Sequence, residues 1–492
     1  MQVKHQRVML ERGAGSATRP HTKRSRDKKL KVMATPSTAP RLVMGLAGMV
    51  NFDPVAEKVV EPVASIAAHV AAGIVDLDMA DMYPGVEEVA GAFLRGHFAS
   101  KAGAAASDVR ILTKFVPDKK LLGALDAPYV RRIVQRSCNR LGVDAVDRVQ
   151  LHWWDYDAAG YELVGAALAS LATGAAPLLR EVGLTNTDTP NAMKLAAALA
   201  AADGGGVPLS SVQVQFSLID RRPSATLAPY CASAGAELLA YGALGGGLLA
   251  DKWLGKADPT AEGSATKEDV PRSAGKYLAL VLAGGGWAPF QATLAACRAV
   301  ATELGGADVT VAQVALAWVL AQPGVGGAIV GGAHAGHLPS TLAGKTLSLS
   351  LSPEQLARLS GAAEAAGGAV PAGDCYTIER DVSTPSGAAL APWTDVGTLG
   401  KPPHFEELKR RTAELEKTPP PPADGAIAGV PSRVVLWRRT LEELQQNFGG
   451  SADGAGAGYA AHIEVSRAAL SAQQRDAELP ALESKLRGLA GL

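Results

Sequence analysis

The chain is 492 residues long and 47% apolar, with 48 Lys and Arg set against 48 Asp and Glu. A chain of that size can bury a large core and carry extensions. Its zero formal net charge gives no global field to draw it to nucleic acid or an anionic membrane, so any phosphate binding has to be local.

Taken in chain order, residues 1–40 hold ten Lys/Arg, two acids (Glu11 and Asp27) and several Ser, Thr and Pro, without an apolar run long enough for a signal-peptide core. The segment reads as an organellar transit peptide, processed near Val32-Met33-Ala34. Chloroplast is the expected destination, with mitochondrion or cytoplasm as alternatives; an ordinary basic leader is the plainer reading. Eight short β-like runs follow: Val43–Leu46, Ile74–Asp78, Arg110–Lys114, Arg148–His152, Glu181–Thr185, Val212–Gln215, Leu238–Tyr241 and Gly327–Gly331. Helix-compatible sequence fills the spaces, with one longer gap before the last run. Ser352-Pro353-Glu354 has the composition of a helix start, Ser352 as cap and Pro353 in the first turn, and the folded domain is expected to span 41–362. Residues 363–392 are a Gly/Pro-rich connector. Residues 393–492 read as a helical extension, in which Trp437, Leu441, Leu444 and Phe448 share one face. No stretch reaches the ~20 apolar residues of a membrane helix, so no membrane insertion is expected. Cys138, Cys231, Cys297 and Cys375 are far apart, with no Cys-x-x-Cys pair, and read as free thiols.

Strands alternating with helices argue for βαβ units. The runs are largely apolar, as in a parallel sheet covered by helices outside and filled by packing inside. Eight such units make an α/β fold of the (β/α)8 TIM-barrel class, flanked by the leader and the tail. A doubly wound sheet is the alternative, but it calls for G-x-G-x-x-G after the first strand, and Met44-Gly45-Leu46-Ala47-Gly48-Met49 does not supply it. In a TIM barrel the reactive face is the rim at the C-terminal strand ends. Asp78, Lys114 and His152 all fall there.

The segment Gly73–Tyr83 (GIVDLDMADMY) resembles the second-strand motif of the aldo-keto reductases. Likenesses to that family repeat in order at Ile111–Lys114, Val149–Trp153, Val182–Asn186, Val212–Phe216, Leu239–Leu244 and Gln313–Leu320. Seven segments in register, across about residues 41–362, make the resemblance specific. The leader and tail lie outside it, and the segments around 148–155 and 216–223 are most like a plant and algal organellar branch. The resemblance implies NADP-linked reduction of an aldehyde or ketone, with Tyr83, Lys114, Asp78 and His152 as the catalytic group.

The chemistry of those side chains agrees. Reducing a carbonyl requires a hydride donor and an acid for the developing alkoxide, and an ordinary phenol, titrating near about 10, is a poor acid at neutral pH. A neighbouring ammonium favours the phenolate, so Lys114 would assist Tyr83, Asp78 would hold Lys114, and His152 would polarise the carbonyl oxygen. Taken one at a time, Asp78–Lys114 could equally be a structural ion pair, Tyr83 a packed rim residue and His152 a satisfied strand-end histidine.

The resemblance also implies a dinucleotide site. Asn186 and Gln213 suit a nicotinamide carboxamide and Tyr241 offers a face for the ring. Thr185, Gly242, Ala243 and Leu244 would line the cofactor, and Gly331-Gly332 would lead into a helix whose N–H groups face a phosphate. Where relatives place Arg or Lys for the 2′-phosphate of NADPH, this chain has His334 and His337, a weaker and pH-sensitive clamp; NADPH is expected, with NADH not excluded. No metal is expected, since His334-x-x-His337 lacks a third ligand. Met82, Trp153 and Trp154, with Trp287 and Phe290, are candidate walls for a small-molecule carbonyl substrate. The rival reading, from another class, is a cofactor-sensing interaction protein that docks a partner through its tail.

Overall fold

The eight runs become eight parallel strands: β1 (Arg41–Gly45), β2 (Asp76–Asp78), β3 (Arg110–Phe115), β4 (Val146–His152), β5 (Leu179–Thr185), β6 (Leu209–Gln215), β7 (Glu237–Tyr241) and β8 (Val325–Gly331). Each pairs with the next, and β8 returns to β1 to close the barrel. The computed structural model describes residues 40–49, 62–83, 85–100, 109–117, 121–153, 155–262, 264, 270 and 274–366. The expected leader, most of the connector and the helical extension lie outside these residues.

Helices α1 (Pro62–Ala71), α2 (Val86–Ser100), α3 (Ala127–Leu141), α4 (Tyr161–Thr173), α5 (Thr189–Ala200) and α6 (Leu227–Ala234) follow β1 to β6 in turn. The longer gap after β7 holds α7 (Gly275–Ala283), α8 (Trp287–Gly305) and α9 (Val311–Leu320), and β8 is followed by α10 (Leu338–Leu347) and α11 (Pro353–Ala366). Their boundaries are written in the sequence. Asp126 and Asp188 cap α3 and α5 by accepting the N–H of Tyr129 and Asn191, and Thr310 with Gln313 forms a capping box on α9. Ser352 accepts the N–H of Gln355, whose side chain accepts that of Ser352. The helix so started runs to Ala366, four residues past the expected end of the domain. Cys138, Cys231 and Cys297 are buried free thiols. Among the described residues no single helix is long and apolar enough to cross a bilayer.

The strands alternate more strictly than their composition suggests. Alternate residues of β4, Arg148, Gln150 and His152, point into the barrel, while Val149 and Leu151 face the helices. The same two-residue step gives Asp76 and Asp78 on β2, Leu112 and Lys114 on β3, Ser211, Gln213 and Gln215 on β6, and Glu237, Leu239 and Tyr241 on β7. Bonds between strands that are not neighbours confirm the inward face: Gln213 on β6 reaches Asp78 on β2, and Arg148 on β4 reaches Glu237 on β7. The apolar core thus lies mainly between strands and helices. Inside, only a small apolar cluster of Val43, Leu112 and Leu239 with Ile329 separates a charged floor from the rim.

The floor lies at the N-terminal strand ends. Arg41 bonds Asp76 and reaches Glu237 at 2.5 Å, Arg148 bonds Glu181 at 2.8 Å and Glu237 at 3.1 Å, and Arg110 meets Glu181 at 2.9 Å. Burial alone would push the Glu237 carboxyl up, but Arg41 and then Arg148 pull it from the ordinary 4.5 down to about 2. The unfolded chain therefore holds that proton more tightly. The stabilisation is present above about pH 4.5 and disappears as pH falls toward 2. At about 1.4 kcal/mol per tenfold change in proton affinity it amounts to roughly 3 kcal/mol. Denaturant unfolding followed against pH should show this acid limb, and Glu237→Gln should flatten it; an unchanged acid limb would mean that other carboxylates carry it.

Candidate active site

Lys114 is brought to the rim by the inward step of β3, and its ammonium meets Asp78 Oδ1 at 2.6 Å and the Met79 carbonyl at 2.9 Å. Both side chains of the pair are 6% exposed. Burial pushes the ammonium toward losing its proton, but the charge of Asp78 and its hydrogen bond more than offset this and raise Lys114 above the ordinary lysine value. The second oxygen of Asp78 accepts from Gln150 and from Gln213, each at 2.8 Å, and Gln213 also donates to Gln150 Oε1 at 2.9 Å. A buried carboxylate held on both oxygens is a fixed support.

Tyr83 lies in the turn between β2 and α2, where its N–H donates to the Ala80 carbonyl at 3.1 Å. The Lys114 ammonium stands 5.7 Å from the centre of its ring, so ammonium and phenol share one wall. Met79 is fully buried; its carbonyl accepts from Lys114 and its N–H donates to the Leu112 carbonyl at 2.9 Å. His152 ends β4, two strands round. Asn186 links it onward: the amide nitrogen lies 3.5 Å from His152 Nε2, and the amide oxygen accepts from the Tyr241 hydroxyl at 2.8 Å. Asn186 has a φ of +52°, in the left-handed region that asparagine tolerates better than most residues. Such a conformation concentrates at functional turns.

The remaining predicted cofactor residues fall on the same rim. Thr185 closes β5 next to Asn186. Gly242 has a φ of +66°, and a Cβ there would come within 2.3 Å of the Tyr277 hydroxyl, so the backbone after β7 is held close under α7. Ala243 is buried, and Leu244 is partly buried in the same turn. Gly331 ends β8, and the N–H of Gly332 donates to Gly45 while its carbonyl accepts from Ser65 at 2.7 Å. His334 and His337 stand edge to face with ring centres 5.7 Å apart just before α10, His337 exposed. Among the described residues no group of three or more His, Cys, Asp or Glu gathers as a metal site.

Several expected roles shift. Both donors of Gln213 go to Asp78 and Gln150, so it first supports the ion pair. Trp153 is corrected: it has no exposed surface and packs on Tyr161, ring centres 6.2 Å apart, so it lies under the rim and not on a substrate wall. Trp287 and Phe290, at the start of α8, are likewise core: Trp287 meets Trp253 edge to face, ring centres 5.9 Å apart, and Phe290 at a tilt, 5.3 Å apart. Met82 is partly buried in the Tyr83 turn, and Trp154 lies outside the described residues. Sequence reading passed over Gln150. The signal was its place between Arg148 and His152, on the inward step.

A closed parallel barrel with an ion pair, a phenol and a histidine at its C-terminal rim defines the class as a (β/α)8 protein with a rim site. The Aldo/keto reductase family model matches residues 42–364, and the chain belongs to that family. Flagellar radial spoke protein 5 of Chlamydomonas reinhardtii is 32% identical over 264 residues, a match covering 49% of this chain and 48% of that protein. The chain thus spans about half the length of that relative. Protein tas of Escherichia coli is 28% identical over 319 residues, covering 59% of this chain and 85% of that protein. Among solved structures, a thermostable aldo-keto reductase in complex with epalrestat is similar at a TM-score of 0.48 and 23% identity, over 66% of this chain and 95% of that one. An aldo/keto reductase from Klebsiella pneumoniae with NADP and acetate gives 0.46 and 24%, over 66% and 92%.

Proposed function

We propose that the protein reduces an aldehyde or ketone to an alcohol at this rim, with NADPH as the preferred donor. The reading rests chiefly on the Tyr83 ring beside a buried, carboxylate-held Lys114. The donor set suits a dinucleotide: an amide and a tyrosine ring at one end (Asn186, Tyr241), glycine backbone along the loops (Gly242, Gly331, Gly332), and imidazoles where a 2′-phosphate would fall (His334, His337). NADPH, when bound, supplies the hydride. The protein's own part is proton delivery and charge stabilisation. Tyr83 donates its phenolic proton to the alkoxide as it forms, Lys114 stabilises the negative charge left on the phenol, and Asp78, held by Gln150 and Gln213, keeps the ammonium in place. His152 borders the same space and orients the carbonyl oxygen.

The test is NADPH oxidation by the full-length protein over a panel of aldehydes and ketones, with NADPH and NADH titrated near pH 6 and near pH 8. Turnover is expected, and NADPH should bind more tightly than NADH at both, because only NADPH carries the phosphate that would meet the His334 and His337 imidazoles. Tight NADPH binding with no oxidation of it by any carbonyl would reject the enzyme reading.

The similarity to a flagellar radial spoke protein favours one second reading, a cofactor-binding component of an assembly that docks through residues 393–492. Removing those residues separates the two: loss of a captured partner with turnover intact would favour docking. The likeness to that algal protein also supports placing the chain in a plant and algal branch of its family.

A further inference from the structure

The turn that carries Tyr83 rests on a buried charge cluster outside the site described above. Asp81, two residues before Tyr83, is 6% exposed. Its Oδ1 accepts the Val116 N–H at 3.2 Å, its own N–H donates to the Lys114 carbonyl at 3.3 Å, and its carbonyl accepts from Arg140 Nη1 at 3.0 Å. Arg140, on α3, also meets Glu87 at 3.1 Å and Glu88 at 3.3 Å, both at the start of α2. Arg136 lies 3.6 Å from Asp81 Oδ2. Thr113, on β3, donates to the other oxygen of Glu87 at 2.7 Å. Helices α2 and α3 meet closely here, since a Cβ on Gly91 would come within 2.5 Å of the Arg140 carbonyl. The cluster therefore ties the turn at once to β3, α2 and α3.

We propose that Asp81 is a positioning residue for Tyr83: clamped by Arg140 and by the Val116 N–H, it fixes the turn that brings the phenol beside Lys114. The inference rests on the carbonyl-reduction reading above and adds a titratable support to it. Fully ionised, the cluster would set three carboxylates (Asp81, Glu87, Glu88) against two guanidiniums (Arg136, Arg140) in a buried space. Retaining one proton balances it. Burial pushes the Asp81 carboxyl up to about 7, against the opposing pull of Arg136, Arg140 and the Val116 N–H and with a further push from Glu87. The other charged or titratable groups around it are Lys114 on β3, paired with Asp78, Tyr83 in the same turn, and Tyr129 on α3 beside Arg136. Protonated, Asp81 accepts from Val116 through its carbonyl oxygen and adds no charge. Once the proton leaves, a negative charge appears that Lys114 feels; it offsets the ammonium that has to stabilise the phenolate, and proton donation slows.

The experiment is the pH dependence of kcat for reduction of benzaldehyde by NADPH, in the full-length protein and in Asp81→Asn and Asp81→Ala, with amide hydrogen exchange of residues 79–86 measured at one fixed pH. In the parent kcat should fall about tenfold as pH rises through about 7, with the KM for aldehyde nearly constant. Asp81→Asn keeps the acceptor for Val116 without the titrating proton, so this step should vanish. Asp81→Ala loses the acceptor and should lower kcat about tenfold to a hundredfold at every pH, with faster exchange in the turn that the Asn variant does not show. The proposal is overturned if parent and Asn profiles coincide, or if Asp81→Ala changes neither kcat nor exchange. If no protein turns over the aldehyde, the function reading fails and exchange alone decides whether Asp81 holds the turn.

Discussion

Lys114→Met should lower the unfolding free energy by about 3–5 kcal/mol, because it removes one partner of a buried ion pair and leaves the other charge uncompensated. The geometry puts this pair at the severe end. Asp78 and Lys114 are nearly enclosed, 2.6 Å apart, and the ammonium also satisfies the Met79 carbonyl. Gln150 and Gln213 would remain on Asp78, but two neutral donors do not replace a cation. Because Lys114 sits above the ordinary lysine value in the folded protein, the stabilisation is fully present below that ordinary value and is lost only as strongly alkaline pH passes the folded one; a comparison at neutral pH captures all of it. The check is denaturant unfolding of the parent, Lys114→Met, and Lys114→Met combined with Asp78→Asn. The double variant should recover a large part of the loss, since Asn keeps an oxygen for the glutamines without a buried charge. A single-variant loss below about 1 kcal/mol, the range of exposed pairs, would mean that the pair is solvated.

The rim was legible in the sequence because parallel strands end abruptly and polar residues closed several apolar runs: Asp78, Lys114, His152 and Thr185 all fall where expected. Depth inside the barrel was not. An inward residue shares its face with others two positions away, and composition does not say which is at the floor, the middle or the rim. Arg148 reads as the start of a strand but belongs to a floor network with Glu181 and Glu237, and Gln150, unremarked within the same run, supports Asp78. Aromatics misled for a related reason. Trp153, next to His152, takes the opposite step of the chain, so adjacency in sequence placed it under the rim against Tyr161. Asp81 sat within the recognised motif, yet its partners Arg136 and Arg140 come from a helix more than fifty residues later, and only the packing of α3 against α2 discloses them.

Tyr83→Phe should remove about 10²–10⁴-fold of turnover, the usual contribution of a positioned general acid, while leaving the rest of the site in place. The substitution deletes one oxygen. The ring keeps its place beside the Lys114 ammonium, 5.7 Å from the ring centre, and cation–ring attraction does not depend on the hydroxyl. Asp78 stays paired, and the Asp81 anchorage of the turn is made by backbone and carboxyl atoms that the change does not touch. Stability should therefore move by no more than about 1 kcal/mol, the usual net worth of a single hydrogen bond, and NADPH affinity should be unchanged because Asn186, Tyr241 and the glycine loops are untouched. This contrast with Lys114→Met separates the roles: loss of the ammonium damages fold and chemistry together, loss of the hydroxyl damages chemistry alone. Single-turnover NADPH oxidation, a nucleotide-binding titration and denaturant unfolding measure the three quantities. If Tyr83→Phe keeps turnover within about threefold of the parent, a loss far below that of an acid catalyst, the proton comes from elsewhere on the rim, and His152, at the rim end of β4, becomes the group to replace next.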